Sequence, residues 1–456
     1  MLKRIAIVFG IIIAYRLLAH IPVPMGDAKT FKDAVTNLIS KSDFSGFLNL
    51  ISGGGLASFS IILVGLSPYI TASIIFQLLS KAIPSLEELS EDGETGRRKI
   101  NQWTRMLTVP LAIVQSIAYI YILYQSVAST NTVSFVPTTR DWILSVTTMT
   151  AGSIILMWMG ELITEQGVGN GISTIIFASI ISQFPTTTAS LSRSLFETKY
   201  GTLSLFGWLN LPVNPVVFWT LLIMALAIII VLYWLVKLNE AQRIITVNYA
   251  KRVHGNSAYG DIKSILPIKL IAAGVVPVIF ATAFLSLPSL IGQLITTLNP
   301  GNQLGSTLTS LFTANAQNFS RLYPNGITAQ WFIYPALYFA LVVLFTYFYT
   351  SIIFNTNEIA DNLQKQGGFI EGVRPGKTTA KYLENTVNRL NLFGSLSLGL
   401  IAMLPFITDY IFIILTGAPM GLSLSGTGLL IVVTVALENL RQVDSRALMV
   451  TYDDFK

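Results

Sequence analysis

The chain contains no cysteine, so neither a disulfide nor a thiolate metal site can contribute to it. Its two histidines, His20 and His254, have no metal-ligand spacing, and His20 reads as an interfacial residue at a helix end. No HExxH, GxSxG or P-loop pattern occurs. Charge is scarce: Asp, Glu, Lys and Arg together make up 11% of the 456 residues, and the acidic ones avoid the centres of the apolar runs. An intramembrane hydrolase or transferase needs ionisable groups buried near the midplane, and the sequence offers none. The expectation is a protein that is not an enzyme, with no catalytic residue, no metal and no cofactor.

What the chain has in abundance is apolar surface, at 52% hydrophobic residues and a mean hydropathy of +0.63, which places it among integral membrane proteins. Apolar spans are predicted over 5–20, 61–79, 107–123, 142–160, 171–184, 216–236, 270–295, 331–354, 392–407 and 425–437, making ten crossings. The first run is followed by Ile21-Pro22-Val23-Pro24 rather than a small-residue cleavage site, so no cleavable signal is expected. With the N-terminus inside, 21 of the 29 lysines and arginines fall on the inner face and 7 on the outer. Basic connections stay cytoplasmic. Both termini are therefore expected in the cytoplasm.

The uncharged run 44–80 fits neither one membrane helix nor two, because its 37 residues would span about 55 Å as a helix against a bilayer core of about 30 Å. It must bend, and the break is written at Ser52-Gly53-Gly54-Gly55, each glycine costing about 1 kcal/mol in a helix relative to alanine. A half-helix at membrane depth has to line or fill a protein cavity. That implies a pore or a buried site. Pro68-Tyr69-Ile70-Thr71-Ala72-Ser73 and Pro277-Val278-Ile279-Phe280-Ala281-Thr282 both fit P-x-I-x-A-[ST]. Either the match is chance in a chain rich in Pro, Ile and Ala, or spans two and seven are equivalent places of two five-span halves, 1–190 and 191–456. An odd number of crossings per half makes the halves inverted, a plan shared with secondary transporters.

The cytoplasmic connections, about 238–265 and 355–390 in the second half, are long and basic. One contains Asn248-Tyr249-Ala250-Lys251-Arg252, another Gly372-Val373-Arg374-Pro375-Gly376-Lys377. Topology alone accounts for basic residues anywhere near a span. It does not account for Arg374 lodged in a Gly/Pro-Gly turn, where a fixed backbone presents one guanidinium outward. Docking of a large soluble partner is the sharper reading.

A series of specific motifs runs along the chain: Ile21-Pro22-Val23-Pro24, Ser52-Gly53-Gly54, Ser67-Pro68-Tyr69-Ile70-Thr71-Ala72-Ser73-Ile74-Ile75 and Gly96-Arg97-Arg98-Lys99-Ile100. Further along come Gly160-Glu161-Leu162-Ile163-Thr164-Glu165, Gly167-Val168-Gly169-Asn170-Gly171-Ile172-Ser173, Asn248-Tyr249-Ala250-Lys251-Arg252, Gly274-Val275-Val276-Pro277 and Val373-Arg374-Pro375-Gly376, in order. By these motifs the chain, from about Arg4 to Tyr452, resembles the SecY family of protein-conducting channel subunits.

The resemblance implies an all-α integral membrane fold, ten transmembrane helices in two inverted five-helix halves forming a clamshell around an hourglass pore. It implies a re-entrant plug at about 47–59, containing Ser52, Gly53, Gly54 and Gly55, and an aliphatic constriction ring at Leu66, Ile70, Ile172, Ile176, Ile279 and Ile431. Such a ring resists a continuous water column yet parts around a passing chain. A lateral gate between spans two and three and spans seven and eight would let apolar segments partition into lipid, with Thr71, Gln77 and Gln115 placed to hydrogen-bond across it or to act as ordinary interhelical glue.

By the same likeness Arg243, Lys251, Arg252 and Arg374 would receive the motor ATPase SecA or the ribosome, through ribosomal RNA. SecE and usually SecG would be small membrane partners, and signal peptides and unfolded polypeptides the cargo. The implied location is the plasma (inner) membrane of a bacterium. The family's N-terminal cytoplasmic segment is expected to be short here, and Leu66 stands where isoleucine is common. The rival readings are a secondary active transporter with inverted repeats, which would need ion-coordinating groups at midplane, and an intramembrane enzyme.

Overall fold

The structure, a computed structural model, describes residues 2–24, 59–128, 138–196, 203–205, 209–249, 253–254, 257–258, 262–299, 301–312, 330–416 and 422–453. Ser52, Gly53, Gly54, Gly55, Lys251 and Arg252 lie outside the described residues, as does the predicted plug before Phe59. The helices in chain order are α1 (Leu2–Leu18), α2 (Ser67–Ala82), α3 (Pro84–Glu91), α4 (Gly93–Ala128), α5 (Thr139–Gln166), α6 (Gly171–Phe196) and α7 (Pro215–Glu240). There follow α8 (Val276–Leu298), α9 (Gln303–Phe312), α10 (Gln330–Ile353), α11 (Thr356–Lys365), α12 (Lys377–Thr416) and α13 (Leu422–Asp453). All except α3, α9 and α11 overlie a predicted span. Among the described residues α4, α5, α7, α8, α10 and α12 are each long and apolar enough to cross a bilayer, and α2 with α3 forms one further such segment bent by 107°.

Two starts differ from the sequence reading in the same way. Span two begins at Ser67 rather than at 61, and span seven at Val276 rather than at 270. In each case the leading residues form hydrogen-bonded turns that close on a left-handed glycine, Gly65 at φ 64° and Gly274 at φ 61°. The Gly65 N–H donates to the Ile62 carbonyl at 2.9 Å and the Gly274 N–H to the Ile271 carbonyl at 3.5 Å. An apolar run reads the same whether it is turn or helix. Pro68 and Pro277 then occupy the first helical turn, where a missing N–H costs nothing. The shared pattern thus lengthens to G-x-x-P-x-I-x-A-[ST].

The chain divides into two compact units. The first comprises Met1–Leu226, Thr282–Pro335 and Pro405–Lys456. In it α2 packs on α4, α4 on α5, α5 on α6 and on α1, and α6 on α13. The segment after α1 is tied to the turns before α2: the Val23 N–H donates to the Phe59 carbonyl at 2.9 Å and the Ile61 N–H to the Ile21 carbonyl at 3.0 Å. Val23, Phe59, Leu63 and Val64 then form one core with Tyr119, Ile120, Met149 and Leu290. Phe59 holds φ 46°, a conformation a bulky residue adopts only when its surroundings impose it.

The second unit comprises Ala227–Ala281 and Ala336–Leu404. It contains an element that the sequence did not disclose, a three-stranded antiparallel sheet. Short pairs elsewhere are β1 (Leu203–Leu205) with β2 (Leu209–Leu211), and β4 (Val253–His254) with β5 (Ser257–Ala258). β3 (Gln242–Tyr249) pairs along its length with β6 (Ile262–Lys269), from Gln242 opposite Lys269 to Tyr249 opposite Ile262. β7 (Gly368–Ile370) joins from the later connection, Val247 opposite Ile370. Ile245, Val247, Ile268 and Ile370 bury one face against Leu383 and Val387 of α12. Two connections distant in sequence therefore share one core.

Candidate functional site

The six predicted ring positions sit at or near helix starts or on buried helix faces. Leu66 caps α2 and Ile70 follows one turn on, its N–H donating to the Leu66 carbonyl at 3.0 Å. Ile172 and Ile176 occupy the opening turns of α6, whose first amides are held by the Asn170 side chain: the Ile172 and Ser173 N–H groups donate to Asn170 Oδ1 at 3.1 and 3.3 Å. An N-terminal Asn accepting these amides is a strong start signal for a helix. Ile279 lies on the first turn of α8 with its N–H directed to the Val275 carbonyl at 3.3 Å, and Ile431 lies on α13. Leu66, Ile70, Ile176, Ile279 and Ile431 are buried, and Ile172 is partly so. Ile229 on α7, by contrast, is 66% exposed, as expected of a side chain meant for lipid.

The structure does not join the three predicted gate residues to one another by any hydrogen bond among the described residues. Gln77 Nε2 donates to Ser73 Oγ at 2.9 Å on its own helix, the geometry that residues four apart favour. Thr71 and Gln115 are buried; Thr71 Oγ1, Gln77 Oε1 and Gln115 Oε1 find no partner among the described residues. α2 meets α4 instead through Phe76 and Trp103, with ring centroids 6.3 Å apart.

Of the residues expected to dock a partner, Arg243 is exposed near the start of β3, opposite Ile268. Arg374 is exposed in a turn defined on both sides: Gly372 and Gly376 take φ 79° and 93°. The Val373 N–H donates to the Ile370 carbonyl at 3.0 Å, and Thr379 Oγ1 donates to the carbonyl of Arg374 itself at 2.9 Å. The backbone at Arg374 is thus fixed while its side chain projects, as the turn composition predicted.

Sequence reasoning missed an ion pair. Arg105 Nε on α4 meets Glu161 Oε1 on α5 at 2.6 Å. Glu161 lies in a motif already singled out and Arg105 just past one, but nothing in their spacing along the chain pairs them.

Comparison with known proteins follows the same line. A family model described as SecY matches residues 60–440. The chain is 38% identical over 458 residues to the protein translocase subunit SecY of Streptomyces coelicolor, covering 99% of this chain and 96% of that one. It is also 38% identical over 455 residues to the subunit of the same name from Corynebacterium glutamicum, with the same coverage. Among solved structures, one described as showing that the plug domain of SecY stabilises the closed state and maintains a membrane seal superposes with a TM-score of 0.57 at 18% identity, covering 96% of this chain and 91% of that one. Sec61 in the canine ribosome-channel complex superposes at 0.53 with 17% identity, covering 95% and 91%.

Proposed function

The chain belongs to the SecY family of protein translocase subunits, and from that premise we propose how its residues conduct polypeptide and whom they engage. The carrying observation is that the family match over residues 60–440 spans all six ring positions, and that Leu66, Ile70, Ile176, Ile279 and Ile431 are buried. An aliphatic neck of this kind excludes a water column at rest, because a narrow apolar passage dewets. It yields to a threading chain of any sequence, because methyl groups make no directional demand. Ser52, Gly53, Gly54 and Gly55 would belong to the outer plug, and two inverted halves, 1–190 and 191–456, would enclose the conduit.

Sideways release follows from partitioning: aliphatic residues gain about 0.3–0.6 kcal/mol each on entering lipid at the bilayer centre, whereas charged ones lose about 2.5–3.5 kcal/mol. Thr71, Gln77 and Gln115, with buried oxygens left over from their own helices, are the groups assigned to the seam. The membrane is the plasma membrane, with both termini inside. SecE and SecG are the expected small subunits.

Arg243, Lys251, Arg252 and Arg374 form the docking surface for SecA or for ribosomal RNA. The rigid turn supports this role for Arg374, since a partner gains most from a cation whose backbone is already ordered. Arg374→Glu is expected to reduce ATP-driven precursor export by at least tenfold in proteoliposomes with the chain's level in the membrane unchanged. Undiminished export by that variant sinks the docking assignment.

A further inference from the structure

The helix α13 does more than cross the membrane. It runs to Asp453, and its cytoplasmic end lies over the turn joining α5 to α6. That turn, Gln166-Gly167-Val168-Gly169-Asn170-Gly171, is closed from within by its own groups. The Gly167 N–H donates to the Thr164 carbonyl at 2.9 Å, and Thr164 Oγ1 accepts from the Gly171 N–H at 2.9 Å. Gly167 and Gly169 take φ 67° and 142°.

From outside, Arg446 Nη1 donates to the Gln166 carbonyl at 3.4 Å and Asn439 Nδ2 to Thr174 Oγ1 at 3.4 Å. A Cβ on Gly167 would overlap the Arg446 guanidinium, and one on Gly169 would overlap the Asn439 amide. Glycine is needed in this turn for its backbone and also to make room for α13. Deeper in the membrane the same two helices touch again, where a Cβ on Gly428 would lie 3.0 Å from Ile180.

The placement of charge suits the contact. Gln166 is the last residue of α5, where carbonyls lack helical partners and the helix dipole favours a cation. The guanidinium of Arg446 arrives there from another helix. On the far side of the turn, Ile172 and Ile176 stand within the first two turns of α6, and Ile431 stands on α13 itself.

We infer that Arg446 and Asn439 are positioning residues: the cytoplasmic extension of α13 clamps the turn between spans four and five and thereby holds Ile172 and Ile176 in the pore ring. The inference rests on the reading of those isoleucines as ring members. It makes the last helix a rod carrying one ring residue, Ile431, while fixing two others through the turn. Neither residue touches cargo. Loss of the clamp frees the start of α6 and loosens the closed neck.

The test uses the assembled translocase in planar bilayers and proteoliposomes. Arg446→Ala and Asn439→Ala are expected to raise resting ion conductance severalfold and to raise export of a precursor with a defective signal more than that of the intact precursor. Arg446→Lys, which keeps a cation over the Gln166 carbonyl, restores the closed conductance. A purely structural role would lower chain level and all export together, without changing that ratio.

Because the chain has no cysteine, Thr174→Cys with Asn439→Cys can be joined by a short reducible thiol crosslinker on the Arg446→Ala background. Joining is expected to suppress the leak and reduction to restore it. Failure of the pair to join, or joining without effect on the leak, overturns the inference. Ile176→Asn separates the two levels. If it leaks while Arg446→Ala and Asn439→Ala do not, the clamp is wrong and the ring stands; if none of the three leaks, both fall.

Discussion

At the scale of single residues the fold is most exacting where backbones approach. A Cβ on Gly171 would overlap the Gly160 carbonyl, backbone that cannot step aside as a long side chain can. Gly171→Ala is therefore expected to cost about 1–3 kcal/mol, read as a lower apparent melting temperature of the detergent-solubilised chain. The ion pair between Arg105 and Glu161 is a gentler case. Their side chains are 45% and 21% exposed, so solvent screens much of the attraction. A double-mutant cycle through Arg105→Ala and Glu161→Gln should return a coupling near 1 kcal/mol. A coupling indistinguishable from zero would show that solvent has taken the pair over. These side-chain meetings were invisible in the sequence, where Arg105 and Glu161 are merely two charges near span ends.

Elements divide into those that composition reveals and those that it hides. Every predicted span overlies a helix, because twenty apolar residues in succession have few other uses. The starts of α2 and α8 were misplaced, since hydropathy cannot tell a buried turn from a buried helix. The β3–β6 hairpin was missed for a different reason. A half-buried strand announces itself by alternation, but the outward face of this one also carries apolar residues, Ile244 at 51% and Ile265 at 62% exposure. The apolar residues on both faces blur the signal. Ile245→Ala removes a side chain from the core shared by the sheet and α12, and should destabilise that unit by about 2–4 kcal/mol. Limited trypsinolysis of the 242–269 and 365–377 regions in inverted vesicles would register it as faster cleavage in both connections, because they share the sheet.

For the whole molecule, the family and its channel activity were legible from ordered motifs, whereas the proposed ring residues rest on likeness alone. Nothing about Ile70 or Ile176 distinguishes it in sequence from dozens of other isoleucines and leucines, and burial does not single them out either, since Ile62, Ile120 and Ile163 are buried more deeply. The proposed docking role of the basic connections belongs to this scale too. Binding to ribosomes led by phosphate contacts must weaken steeply with salt. Affinity of the reconstituted channel for ribosomes should fall by at least tenfold between about 50 and 200 mM monovalent salt, and Arg243→Ala with Arg374→Ala should flatten that dependence. A salt-independent affinity would instead mean an apolar interface.

The matched kinks at Gly65 and Gly274 also bear on how this sequence can drift. Each occupies a left-handed conformation that a side chain strains, so neither can be exchanged freely while the helices they introduce remain free to vary. If the shared pattern marks a repeat of one ancestral half, that repeat would be preserved best in these joints, as a durable fossil, and worst along the straight runs.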